Sequence, residues 1–135
     1  MPALEKMLLF AGGRQRIIAN NIANIDTPNY QGMDVDPQSF QKLLGEAIDS
    51  RRDRNGGAFG ALELKQNRQV QSVGGRMVLN AETPAAGVLF QDRNQRDLEH
   101  LMQQLVENAS TFRVASDLMR KSSSQLKLAI AQRVI

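Results

Sequence analysis

The apolar residues at the start of the chain recur at alternating spacings of four and three, which is typical of a helix that buries one narrow stripe. Gln15 is the only polar residue in this stripe, and Gly12-Gly13 interrupts the helix. Each glycine costs about 1 kcal/mol relative to alanine in a helix interior, so this helix is expected to be marginal by itself. The stripe in residues 1–25 consists of Leu4, Leu8, Ala11, Gln15, Ile18, Ile22 and Ile25.

A second helix is predicted from about residue 96 to residue 133, where the chain contains no glycine or proline. At about 1.5 Å per residue it would exceed about 50 Å, which is longer than a compact domain of this size needs. Its heptad a positions are large: Leu98, Leu105, Phe112, Met119 and Leu126. Its d positions become small or polar after the first: Leu101, Asn108, Ala115, Ser122 and Ala129. This asymmetry indicates a close approach to another helix and a stripe that partners complete.

The middle of the chain predicts shorter elements. Asp36-Pro37 is typical of an N-cap followed by proline at the first helical position. A short helix would then bury Phe40, Leu43, Leu44, Ala47 and Ile48. Arg51–Gly60 is predicted to be a flexible loop, Gly74-Gly75 a two-residue hairpin turn, and Val88–Phe90 a short strand.

These elements predict a mainly α fold within a single domain of residues 1–135. An N-terminal helix (1–25) and a C-terminal helix (96–133) would form a coiled-coil-like pair. Residues 26–95 would supply a turn, a short helix, a loop and a β-hairpin. With 135 residues the chain has the length of one ordinary domain.

Composition narrows the chemistry that the chain can perform. It contains no cysteine, so disulfides and thiolate chemistry are excluded. No apolar run approaches the roughly 20 residues of a membrane span. The first residues lack a basic leader and a long apolar region, so any export is expected to occur without a cleaved signal peptide.

The candidates for catalysis or metal binding are few. His100 is the only histidine, and no second group of metal-ligand residues accompanies it. Asp34 and Asp36 lie close in sequence, but Asp36 is already explained as a helix cap. We therefore expect no enzyme activity, no metal site and no cofactor.

Residues 51–76 carry six of the basic residues and only two acidic ones. The simplest interpretation is a solvated loop, followed by a contact with acidic protein neighbours. A nucleic-acid contact ranks last because Phe59 is the only aromatic residue near the arginines. A small basic helical nucleic-acid-binding protein nevertheless remains the alternative from another functional class.

The end of the N-terminal helix resembles the signature of the flagellar basal-body rod protein family. In that family an asparagine-rich helix end precedes Thr-Pro, a small residue and an aromatic residue. Asn29 stands where glycine is frequent, which is tolerable because asparagine enters the left-handed region more easily than most residues. The matching positions are Asn20, Asn21, Ile22, Ala23, Asn24, Asp26, Thr27, Pro28 and Tyr30.

The sequence after this signature is similar to the proximal rod subunits of the same family. So is the C-terminal helix around Glu107-Asn108-Ala109 and Leu126–Ile130. The short length also favours a proximal subunit, because other members of the family carry large inserted domains.

The resemblance implies a structural subunit that assembles helically through its terminal helices, transmits torque and encloses the export channel. The partners it implies are other copies of the chain, other rod subunits, the basal adaptor, the membrane-ring protein and the flagellar export apparatus. The location implied is the periplasm-spanning rod of the basal body.

Within such an assembly we expect the two helical stripes to pack on each other, inside one subunit and across neighbours. The asparagines could act as caps, fix the turn or contact a neighbouring subunit. The packing residues expected are Leu4, Leu8, Ile18, Ile22, Ile25, Leu98, Leu105, Phe112, Met119 and Leu126.

Overall fold

The computed structural model describes residues 2–56, 60–83 and 94–133. Its elements are α1 (Pro2–Ala23), α2 (Pro37–Asn55), β1 (Val70–Val73), β2 (Arg76–Leu79) and α3 (Asn94–Arg133). The mainly helical fold, the long terminal helices that pack together, the short middle helix and the hairpin are confirmed. α1 ends two residues before the predicted boundary, and α3 begins two residues before its own.

Helix α1 is buried on two neighbouring sides. The predicted stripe faces α3 and contains Ala11 and Ile18, whose exposed fractions are 1% and 0%. A second stripe, about 100° further round the helix at 3.6 residues per turn, faces the rest of the molecule. This second stripe consists of Ala3, Met7, Phe10, Arg14, Ile17 and Asn21.

The apolar core lies between α1, α2 and the hairpin, and α3 is not part of it. Phe10 of α1 stacks on Phe40 of α2, with ring centroids 4.1 Å apart and planes 5° from parallel. Val35, Leu62 and Val70 close this core and are all buried. Burying a large apolar side chain stabilises a fold by about 1.5–3 kcal/mol, so α1 gains more from this side than its glycines cost.

The ends of α2 follow local sequence signals. The Asp36 carboxylate accepts a hydrogen bond from the Gln38 N–H at 3.0 Å, and Pro37 occupies the first turn, as predicted. Gly56 ends the helix in the left-handed conformation (φ 67°), and its N–H donates to the Arg52 carbonyl. The prediction of a loop from Arg51 was wrong for residues 51–55, because the left-handed C-cap glycine, and not the arginines, determines where the helix stops.

The hairpin has the predicted turn. β1 and β2 pair antiparallel, with Val70 opposite Leu79 and Val73 opposite Arg76. Gly74 and Gly75 both have positive φ, 58° and 79°, as a two-residue hairpin turn of this type requires. The strand predicted over Val88–Phe90 lies outside the described residues.

Helix α3 packs antiparallel to α1. The Asn108 side chain contacts Ala11 and Gln15, whereas Met119 lies beside Leu8 in a shallow groove. Gly12 faces Phe112 of α3, and Gly13 faces Leu79 of the hairpin. The glycine pair therefore lies where α1 has neighbours on both sides.

The two glycines should respond differently to alanine. A Cβ at Gly12 would lie 3.9 Å from Phe112 Cε2, an ordinary contact, whereas one at Gly13 would lie 2.5 Å from Leu79 Cδ1. We expect Gly12→Ala to raise the free energy of unfolding by about 1 kcal/mol through helix propensity. Gly13→Ala should gain clearly less, because Leu79 must move. Urea denaturation of both variants measures this, and an equal gain would contradict the close approach of α1 to the hairpin.

Candidate functional site: the asparagine loop and the α1–α3 seam

Residues 24–33, here called the asparagine loop, fold back against the end of α1. Asn21, with an exposed fraction of 5%, holds this loop. Its Oδ1 accepts from the Met33 N–H at 3.0 Å and from the Tyr30 hydroxyl at 2.9 Å. Its Nδ2 donates to the Met33 carbonyl. The side-chain amide thus pairs with both backbone groups of Met33, as a neighbouring strand would.

Other residues of the family signature extend this network on the exposed side. Asn20 Nδ2 donates to the Tyr30 hydroxyl at 3.1 Å, and Asn24 Nδ2 donates to the Asn20 carbonyl at 2.8 Å. The Thr27 hydroxyl donates to Asn24 Oδ1 at 3.3 Å. Asn29 has φ 62°, the left-handed conformation that glycine would otherwise supply. Within one chain, Asn20, Asn21 and Asn24 therefore fix the turn.

The signature residues differ in burial. Ile22 is half-buried on the α3 side of α1, whereas Ala23, Asp26, Thr27 and Pro28 are exposed. These four exposed residues form an outer surface at the end of α1.

A largely buried ion pair joins α1 to Asp34, the residue after the asparagine loop, and Gln104 connects it to α3. Arg14 donates to Asp34 through Nε at 3.1 Å and through Nη2 at 3.0 Å. The side chains are only 9% and 17% exposed. Asp34 also accepts from Gln104 of α3 at 3.5 Å, and its backbone pairs with Glu82. These bonds tie three segments together. Removing either member of the ion pair would leave the other charge largely buried without a partner.

The α1–α3 seam is formed mainly by small and polar residues of α3. Ala115 and Asn108 are buried at 1% and 4% exposure, and both belong to the small d column. Asn108 Nδ2 donates to the Ala11 carbonyl at 2.8 Å and to Gln15 Oε1 at 2.7 Å. Gln15, the polar residue of the N-terminal stripe, thus has a partner in the opposite helix.

The predicted packing residues are distributed unevenly along this seam. On α1, Ile18 is fully buried, and Leu4, Leu8 and Ile22 are half-buried. Ile25 is also half-buried, but it lies in the asparagine loop, just beyond the end of α1. On α3, Leu105 and Met119 are half-buried. The other three remain substantially exposed, at 39% for Leu98, 44% for Phe112 and 63% for Leu126. The large a column therefore flanks the seam and is incompletely covered within one chain.

The last turns of α3 have no cover within the described residues. Every residue from 123 to 133 is exposed. Leu126 follows Met119 by seven residues, so it continues the side of α3 that meets α1. Leu126, Leu128 and Ile130 are exposed at 63%, 64% and 57%. We call residues 123–133 the α3 overhang.

Two basic residues of the middle segment pair with carboxylates of the same chain. Arg54 pairs with Glu63 at 3.3 Å, and Arg68 pairs with Glu82 at 2.9 Å. The ring of His100 contacts only Gln104 among its described polar neighbours. Across residues 2–56, 60–83 and 94–133, no three metal-ligand side chains gather, and no helix has the length and apolarity that crossing a membrane requires.

Comparison with known proteins finds similarity to flagellar rod proteins. The family described as "Flagella basal body rod protein" matches residues 13–31, which span the end of α1 and most of the asparagine loop. A flagellar basal body rod protein FlgB from Salmonella typhimurium is 29% identical over 130 residues, covering 91% of this chain and 84% of the relative. The chain is therefore similar to flagellar basal-body rod proteins, and to those named FlgB over most of its length.

Two further relatives are also flagellar basal body rod proteins named FlgB. FlgB from Borrelia hermsii is 25% identical over 130 residues, covering 87% of this chain and 84% of the relative. FlgB from Bacillus subtilis is 54% identical over 43 residues, about a third of each chain. These similarities support a structural role in the rod of the flagellar basal body.

Asn21 should matter more to stability than its exposed neighbour Asn20. Asn21→Ala leaves both backbone groups of Met33 without their partner, and the expected loss is about 1–2 kcal/mol of unfolding free energy. Asn20→Ala, the matched control, removes a solvent-exposed bond and should change stability by less than about 0.5 kcal/mol. Urea denaturation compares the two, and equal losses would show that Asn21 does not hold the loop.

Proposed function

We propose that this chain is a structural subunit of the proximal rod, which assembles helically through α1 and α3. In this role it transmits torque and encloses the channel through which other flagellar proteins are exported. The relatives named FlgB, aligned over most of this chain, support the choice of subunit. The proposal includes export of the chain without a cleaved signal peptide.

The observation that carries the assembly step is the incomplete cover of α3. Its side facing α1 is buried at Asn108 and Ala115 and half-buried at Ser122. The same side then continues into exposed Leu126 and Ile130. Exposed apolar residues on a continuous helical side mark a surface that a neighbour covers. A patch that meets a different patch on the next subunit generates a helical filament when the rotation between subunits does not close into a ring.

The neighbours in this proposal are other copies of the chain, other rod subunits, the basal adaptor and the membrane-ring protein. The chain would reach them through the flagellar export apparatus. Its small apolar core and its lack of disulfides favour unfolding for passage through a narrow channel. Two basic residues of the middle segment, Arg54 and Arg68, pair with carboxylates, which weakens the nucleic-acid alternative.

Deleting the gene tests the function, and two matched variants test the surface. We expect the deletion strain to lose motility and to stop assembly at the start of the rod.

Leu126→Asp with Ile130→Asp should fail to restore motility, because charged residues cannot be buried in a subunit contact. Ser124→Asp with Gln125→Asp, in the same exposed overhang, should restore it. Normal flagella in the deletion strain would refute the proposed function.

A further inference from the structure

The two ends of α3 carry different exposed apolar patches. At its start, Leu98, Met102 and Val106 are exposed at 39%, 49% and 65% and follow each other at intervals of four. At its end lies the α3 overhang, with Leu126 and Ile130. At about 100° per residue, the starting patch lies roughly 100° round the helix from the overhang patch. One straight partner helix lying along a single side of α3 therefore cannot cover both patches.

The charges around the two patches are opposite. From residue 98 to residue 112 the only charged side chains are Glu99 and Glu107, both acidic. From residue 118 to residue 133 the charged side chains are all basic: Arg120, Lys121, Lys127 and Arg133. Acidic residues near the start of a helix and basic residues near its end also stabilise the helix dipole. The dipole does not explain why exposed apolar side chains lie beside these charges.

We infer that the α3 overhang of one copy packs on the start of α3 in the next copy. Leu126 and Ile130 would cover Leu98 and Met102, while the basic residues of the overhang face Glu99 and Glu107. The overhang is 11 residues long, about 16 Å at 1.5 Å per residue, which is enough to span the 98–106 patch. The inference rests on the proposed function and names the surface through which copies join.

The contact is head to tail, so it propagates from copy to copy. Each copy offers an overhang at one end and a receiving patch at the other, so every added copy exposes a new overhang. Heterologous contacts of this kind propagate, whereas a two-fold contact stops at a dimer. Complementary charge at the edges favours the correct partner and orientation.

The absence of cysteine permits a direct test by disulfide cross-linking. The variant Met102→Cys with Ile130→Cys places one thiol in each patch. In basal bodies from the deletion strain complemented with this variant, oxidation should give a ladder of covalent multimers that reductant removes. The matched control, Met102→Cys with Gln125→Cys, places the second thiol on the far side of the overhang and should give no ladder.

Each outcome of this experiment decides the inference. Three results would overturn the inference. The cross-linking could stop at a dimer, the product could contain a different protein, or a motile strain could give no product. If the variant strain is not motile, the purified full chain at raised concentration is oxidised and judged in the same way. Motility without the gene would refute the proposed function itself, whereas a motile variant strain without a ladder would refute only this contact.

Charge reversal provides a second, independent measurement on the cross-linking variant. Lys127→Glu with Arg133→Glu should reduce the ladder several-fold, because like charges then face each other. Adding Glu99→Lys with Glu107→Lys in the same chain should restore it. A ladder that is insensitive to the first change, or not restored by the second, would show that the ends of α3 do not meet.

Discussion

Helix α1 packs against α3 on one side and against α2 and the hairpin on the neighbouring side, and the rest of the chain is arranged around it. Its second stripe supplies Phe10 to the apolar core, while its first stripe supplies Ala11 and Ile18 to the seam with α3. A helix with two such neighbours needs small residues where both approach closely. Gly12 and Gly13 lie at that point, one towards Phe112 and one towards Leu79.

Polar contacts fix the positions of the asparagine loop, Asp34 and α3 relative to α1. Asn21 secures the asparagine loop, and Arg14 secures Asp34, which in turn contacts Gln104. Asn108 joins α3 to Ala11 and Gln15 of α1. Because a buried polar group is costly without its partner, these contacts favour one register of α3 over others. The large apolar residues of α3 are then left on its flanks and in the overhang, where other subunits can use them.

Local signals in the sequence were sufficient to predict several elements of the fold. The Asp36-Pro37 cap, the Gly74-Gly75 turn and the long glycine-free helix each have a cause within a few residues, and all three appear in the structure. The predicted loop from Arg51 is wrong at its start, because arginines are also common in helices and do not end one. They belong to the helix, and Gly56 ends it.

Long-range partners were the part that the sequence did not reveal. The second stripe of α1 was missed because Arg14 and Asn21 interrupt its apolar pattern, and their partners Asp34 and Met33 become neighbours only after folding. The spacing of Ala3, Met7, Phe10 and Ile17 was the available signal. The family signature located the asparagine loop correctly, but the bonds made by its asparagines depend on how residues 24–33 turn back.

The central role of α1 is tested most directly by amide hydrogen exchange of the dilute, intact chain. The account predicts that amides in the middle of α1, around Phe10 to Ile18, exchange as slowly as those of α2, since both helices bury side chains in the same core. The amides of the α3 overhang should be the fastest in any described helix, because nothing described covers them. An α1 that exchanges as fast as the overhang while α2 stays protected would contradict the account.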